Sequence, residues 1–180
     1  MTKQKMPADE RREYILKLLK EQEEPLSGRE IAEKVGVSRQ IIVGDMALLK
    51  AKNEPILATS QGYIYMYDSQ ESNGYERTIA CYHKPEDTGK ELNILVDHGV
   101  FVKDVTVDHP IYGEFTAQLR ISNRIEVEKF VKQVQSSSAA LLSELTEGIH
   151  LHTITADREE LLDEAEKALN KAGFLVNKKV

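Results

Sequence analysis

Residues 26–53, LSGREIAEKVGVSRQIIVGDMALLKAKN, decide the fold of the first third of this chain. Ser27-Gly28-Arg29-Glu30 reads as a capping box: the serine hydroxyl accepts from a backbone N–H of the first turn while Glu30 reaches back. The short helix that it opens carries Ile31, Ala32 and Val35 inward. Gly36 supplies the turn after it, because a left-handed conformation costs glycine little. Ser38 then caps a longer helix, 39–52, whose expected inward positions are Ile41, Ile42, Leu48 and Leu49, with Asp45 outlying. Upstream, 8–21 shows helical spacing, with Tyr14, Ile15, Leu18 and Leu19 on one face. Downstream of Pro55, the segments 56–58 and 63–65 flank Ser60-Gln61-Gly62 as a short β-hairpin. Three short helices and a hairpin form a winged helix-turn-helix. Its third helix enters the DNA major groove N-terminus first. Ser38, Arg39, Gln40 and Val43 lie on or near that reading face, and arginine and glutamine suit paired hydrogen bonds to guanine and adenine. Lys50 and Lys52 suit phosphates, and Gln61 at the hairpin tip suits the backbone or the minor groove. The alternative is a trihelical protein-interaction module with a solvated basic face.

The net charge of −6 does not oppose DNA binding once its distribution is examined. Residues 1–68 hold eleven basic and eleven acidic side chains, and the remainder holds thirteen and nineteen. Within 34–52, Lys34, Arg39, Lys50 and Lys52 face Asp45 alone, which leaves a local positive stripe for phosphates. Cys81 is the single cysteine, so no intrachain disulfide forms and a reducing, cytoplasmic setting is expected. No apolar run approaches the length of a membrane span, and the first twenty residues mix charges through their apolar positions, unlike a secretory signal.

The polar, turn-rich stretch 68–74 (DSQESNG) reads as a linker, which divides the chain into 1–68 and 69–180. Beyond it, strands are expected at 75–83, 100–108, 113–121, 149–155 and 174–177, and helices at 85–97, 125–135 and 158–171. Strands and helices so intermixed, with a hairpin between 100 and 121, predict an α+β two-layer fold with a mostly antiparallel sheet. All five histidines lie in this half. His150-Leu151-His152 on a strand sends both imidazoles to one side while Leu151 is expected to point to the core. Two imidazoles on one face suit one metal ion. His83 at a strand end and Glu91 in the next helix complete a set of three nitrogens and one carboxylate, fit for zinc or nickel first and iron or cobalt next. A strand-end His83 and a solvated Glu91 are the alternative. His98, before Gly99, is expected to serve a helix end. In His109-Pro-Ile-Tyr-Gly-Glu114, Pro110 and Gly113 shape a turn in which His109, Tyr112 and Glu114 converge as a ligand pocket, or form a merely structural hairpin.

Taken together, the segment 26–53, TSQGYIYM (59–66), DHPIYGE (108–114) and EGIHLHTI (147–154) resemble the niacin-responsive transcriptional repressors of Gram-positive bacteria. These join a winged helix-turn-helix to a domain named for three histidines, and the resemblance covers nearly the whole chain. It implies that the second domain resembles the open-faced β-sandwich of the HPr phosphocarrier, with helices over one side of the sheet. It also implies that His83, Glu91, His150 and His152 match the family's metal ligands, that nicotinic acid is the co-repressor, and that a homodimer binds palindromic operators of NAD synthesis or niacin uptake genes. The second domain then supplies the dimer contacts. Two rivals stand beside this: a metal-dependent hydrolase of small molecules fused to a DNA-binding head, and a repressor that senses the metal alone. Against the enzyme, no nucleophile or phosphate-cradling glycine loop accompanies the histidines.

Overall fold

The computed structural model describes residues 6–67 and 74–176, and the expected linker lies almost wholly outside the described residues. The chain forms two compact units, Met1–Glu71 and Ser72–Val180.

In the first unit, α1 (Ala8–Lys20), α2 (Gly28–Val35) and α3 (Arg39–Ala51) precede the hairpin β1 (Ile56–Thr59) and β2 (Gly62–Tyr65). The capping box is present with both hydrogen bonds, Glu30 N–H to Ser27 Oγ at 3.2 Å and Ser27 N–H to Glu30 Oε2 at 2.8 Å. Gly36 has φ +71°, the left-handed stop that α2 requires. Ile15, Leu19, Ile31, Ile42, Met46 and Leu49 make the core.

Two expected faces need correction. On α1, Tyr14 is exposed and Leu18 half-buried, while Arg11 is buried beside Ile15 and Leu19. On α3 the inward positions are 42, 45, 46 and 49, a strict helical stripe; Leu48 lies off it and is 50 % exposed. Asp45 is therefore a core position rather than an outlier, and it holds Arg11 in a two-pronged ion pair, Nε to Oδ2 at 2.6 Å and Nη2 to Oδ1 at 3.1 Å. At the hairpin, Leu26 and Tyr63 exchange backbone hydrogen bonds of 2.8 and 2.9 Å, so the segment before α2 extends the wing.

The second unit runs β3 (Tyr75–Tyr82), a 3-10 turn, α4 (Thr88–Asp97), β4 (Phe101–His109), β5 (Gly113–Ile121), α5 (Arg124–Ser136), a 3-10 turn at Leu142–Thr146, β6 (Ile149–Ala156) and α6 (Glu159–Ala172). Its strands are ordered β5-β4-β6-β3, and each neighbouring pair is antiparallel. Apolar side chains from one face of the sheet pack with α4, α5 and α6 around Leu92, Leu95, Val102, Ile121, Ile154, Leu162 and Leu169. Leu175 forms an isolated bridge to Cys81 rather than part of a strand, and residue 177 of the expected last strand lies outside the described residues.

Leu151 does not point to the core. His150 and His152 share the buried face with Ile154 and Ala156, and Leu151 is half-buried on the other. Alternation along a strand says which residues share a face; helix packing decides which face is inside.

Candidate functional site

Glu91 sits on the inward stripe of α4 with Leu92, Leu95 and Val96, and is only 1 % exposed. An ionised carboxylate so placed demands partners. Three imidazoles supply them: His83 Nε2 lies 2.7 Å from Oε2, His150 Nε2 3.2 Å from Oε1, and His152 Nε2 3.3 Å from Oε2. All three rings are themselves buried. Their other nitrogens are tied to backbone carbonyls, His83 Nδ1 to Lys84 at 2.8 Å, His150 Nδ1 to Gly148 at 2.9 Å and His152 Nδ1 to Asp104 at 2.7 Å.

A carbonyl oxygen only accepts, so each Nδ1 carries the proton. In the neutral rings each Nε2 then presents a lone pair. Three lone pairs and a carboxylate converge beside a cavity no larger than one water molecule, and cations, protons or a metal, balance that arrangement. Burial opposes the cationic forms of His83 and His152, but the neighbouring Glu91 outweighs it and raises both pKa values. Burial likewise opposes the charge on Glu91, while His152, followed by hydrogen bonds from all three rings, holds its carboxyl well below the usual range. The donor set fits a divalent transition metal on chemistry and on orientation, since Nδ1-to-carbonyl bonds are the usual means of fixing a ligating imidazole.

Three residues at this cluster escape a reading of the sequence. Cys81 pairs with His150 across β3 and β6, is fully buried, and has its sulfur within 4.8 Å of donor atoms of Glu91 and His150. Burial, reinforced by the charge of Glu91, pushes its thiol pKa up. Asp104 follows a β-bulge that shifts the register between Val102 and Asp104. Its carbonyl accepts from His152, and its carboxylate accepts from Thr153 N–H at 3.2 Å. Gly148, at φ +99°, lets β6 begin against the end of β3: a Cβ there would lie 2.6 Å from the His83 carbonyl oxygen. Gly148→Ala is therefore expected to displace His83 and His150 together. It should destabilise this unit by about 2 kcal/mol and weaken metal binding at least about tenfold, as read by urea unfolding and metal competition. A variant with unchanged affinity would show that the strand entry does not position these imidazoles.

The other histidine segments are not brought to this cluster. His98 closes α4, its Nδ1 2.7 Å from the Ile94 carbonyl. His109, Tyr112 and Glu114 occupy the β4–β5 tip, where Tyr112 is 73 % exposed. His109 Nδ1 accepts from the backbone N–H groups of Ile111 and Tyr112 at 3.2 and 3.3 Å, and its ring packs with those of Tyr112 and Phe115. This is a self-bonded turn with none of the three lining the cavity beside Glu91.

In the first unit, Ser38 caps α3 through Ile41 N–H at 3.4 Å, and Arg39 and Gln40 follow it on the exposed side of the first turn, with Val43 half-buried. Lys50 lies over the Tyr63 ring, 5.9 Å from its centroid, which ties the far end of α3 to the wing. Lys52 caps α3 and is exposed. Gln61 sits at the hairpin tip, its N–H donating to Thr59 Oγ1 at 3.1 Å.

Comparison with known proteins bears on both halves. A helix-turn-helix domain family (described as an HTH domain) matches residues 11–64, and the 3H domain family matches residues 76–178. The chain is 51 % identical over 173 residues to the transcription repressor NadR of Bacillus subtilis (strain 168), covering 96 % of each. It is 38 % identical over 167 residues to the probable transcription repressor NiaR of Thermotoga maritima, covering 93 % of this chain and 94 % of the relative. The chain belongs to the NadR/NiaR family of transcription repressors. A member of this family is a regulator rather than an enzyme, and the cluster around Glu91 lies within its 3H domain. Among the described residues, no helix is long and apolar enough to cross a membrane.

Proposed function

We propose that this repressor is niacin-responsive: nicotinic acid acts as co-repressor through the 3H domain, and the controlled genes serve NAD synthesis or niacin uptake in the cytoplasm. The observation that carries it is the convergence of three imidazole Nε2 atoms on the buried Glu91, in a chain whose relatives are named NadR and NiaR. His83, Glu91, His150 and His152 hold a divalent metal, zinc or nickel first. When bound, the metal would supply a fixed positive, Lewis-acidic centre beside the effector's seat. The residues of this chain do the rest. Backbone carbonyls of Lys84, Gly148 and Asp104 lock the imidazoles, and Leu92, Val105 and Phe130 line the space beside them. A homodimer joined through the second unit presents two α3 helices to a palindromic operator. Ordering that dimer raises operator affinity tenfold to a hundredfold for only ~1.4–2.8 kcal/mol of coupling.

Fluorescence anisotropy on the operator with metal alone, and then with metal and nicotinate, tests this reading. Enhancement requiring both supports it; full enhancement by metal alone makes the protein a metal sensor. On the same operator, Arg39→Ala is expected to cost ~1–3 kcal/mol and to relax discrimination at one base pair, because Arg39 begins the reading helix. Lys50→Ala should weaken specific and random DNA alike. Equal losses from Arg39→Ala on both DNAs would make Arg39 a phosphate contact instead.

A further inference from the structure

The cavity beside the three imidazoles has about 30 Å³, the space of one water, and admits no aromatic ring. A cleft of about 470 Å³ opens next to it between α4, α5 and the turn at 142–146, within the size range of small-molecule sites. Thr88 and Phe130 line both spaces. One wall of the cleft is Phe130, Val131 and Val134 of α5, spaced as a core face should be. Yet on α5 only Val127 is fully buried, so this helix keeps an apolar stripe turned to the cleft. On the α4 side, Thr88 Oγ1 and Asn93 Oδ1 are buried and lack a hydrogen-bond partner, the two such side-chain atoms among the described residues. Buried polar atoms left unpaired are costly and rare in native proteins. Here both belong to residues that line the same cleft.

We infer that this cleft is the seat of a small ligand with one aromatic ring and a planar carboxyl or carboxamide group, an inference that rests on the niacin-responsive reading above. The ring lies against Phe130, Val131 and Val134. Small rotations of Thr88 and Asn93 bring their polar atoms to the planar group. The threonine hydroxyl donates to its oxygen, and the asparagine amide offers both a donor and an acceptor. Glu86 and Glu144 at the rim, against Lys90, which is already paired with Asp87 at 2.7 Å, disfavour phosphorylated or multiply anionic forms. Through Thr88 and Phe130, a ligand in the cleft borders the cavity at Glu91.

Calorimetric titration of the full-length, zinc-supplemented protein with nicotinate and with nicotinamide tests the seat and separates the two head groups. Thr88→Val and Asn93→Leu are each expected to weaken binding of the preferred compound about tenfold, the loss of one hydrogen bond. Thr88→Ser should stay within about twofold of wild type, and zinc content should not change. In the wild-type protein, ring protons of the ligand should show NOEs to the methyl groups of Val131 and Val134, which decides the matter even where Asn93→Leu fails to fold. Binding by wild type with both variants unaffected and NOEs to other residues overturns the seat and leaves the niacin-responsive reading standing. Binding of neither compound by wild type overturns both.

Discussion

His152→Ala is expected to lose most of its metal affinity and nearly all response to nicotinate, while it stays folded, dimeric and able to bind operator at the basal level. Removing a direct ligand should exceed the 10–100-fold cost of losing an outer-shell partner, so a drop of more than about a hundredfold is the expected size. His152 is the ring whose support comes from another strand, through the Asp104 carbonyl at the β4 bulge, and its loss leaves His83 Nε2 and His150 Nε2 on Glu91. The carboxylate therefore retains two partners, which is why folding should survive. The helix-turn-helix domain belongs to the other compact unit, with its own core, which is why basal affinity should survive. His98→Ala is the control: its ring serves the end of α4 and should respond to nicotinate normally. Metal content by mass spectrometry and anisotropy with and without nicotinate read all three proteins. If His152→Ala lacks metal yet responds like wild type, the metal is structural and the proposed sensing mechanism is wrong.

Much of this architecture was legible because its signals are local. The capping box at Ser27, the turn at Gly36 and the cap at Ser38 each lie within a few residues of the helix that they define, and together they specify the helix-turn-helix. His150 and His152 are two residues apart on a strand, so their common direction follows from the pleat. Glu91 had a local signal too, a lone acid on the stripe of Leu92, Leu95 and Val96. What stayed hidden depends on distant parts of the chain. Alternation alone leaves Leu151 as the apolar residue expected in the core, but Ile154 and Ala156 lie on the opposite face and the helices cover that one. Cys81, Asp104 and Gly148 reach the cluster through pairing register, a bulge and a close backbone approach, none of which has a sequence period. The turn holding His109, Tyr112 and Glu114 stays apart from the cluster for the opposite reason. Its residues bond locally, and His109 satisfies its own turn.

Asp45→Ala is expected to be the most destabilising single change in the first unit, by ~3–5 kcal/mol, the cost of stranding a buried charge. Asp45 is 3 % exposed, and its carboxylate takes two hydrogen bonds from Arg11 and one from Arg12 Nη1 at 3.3 Å. The three groups pin α1 to α3 across 34 residues of chain, at the level of Met46 and Leu49 in the core. Removing the carboxylate leaves the buried Arg11 guanidinium with only the long bond from Nη1 to the Met6 carbonyl, at 3.5 Å, in place of water. Asp45→Asn should be nearly as harmful, because one neutral amide oxygen cannot balance two guanidinium groups. Replacing both partners, Arg11→Met with Asp45→Leu, should recover most of the loss, since a well-packed apolar pair avoids the desolvation cost altogether. Hydrogen exchange read by mass spectrometry separates the two units: protection should fall in 8–51 and remain unchanged in β3–β6 and α4–α6. Operator affinity should fall with it, because α1 sets the angle at which α3 presents Arg39 and Gln40. A loss below about 1 kcal/mol in Asp45→Ala would show that Arg11 escapes to solvent at little cost, and that the apolar contacts of Ile15, Leu19, Ile42 and Met46 alone orient the reading helix.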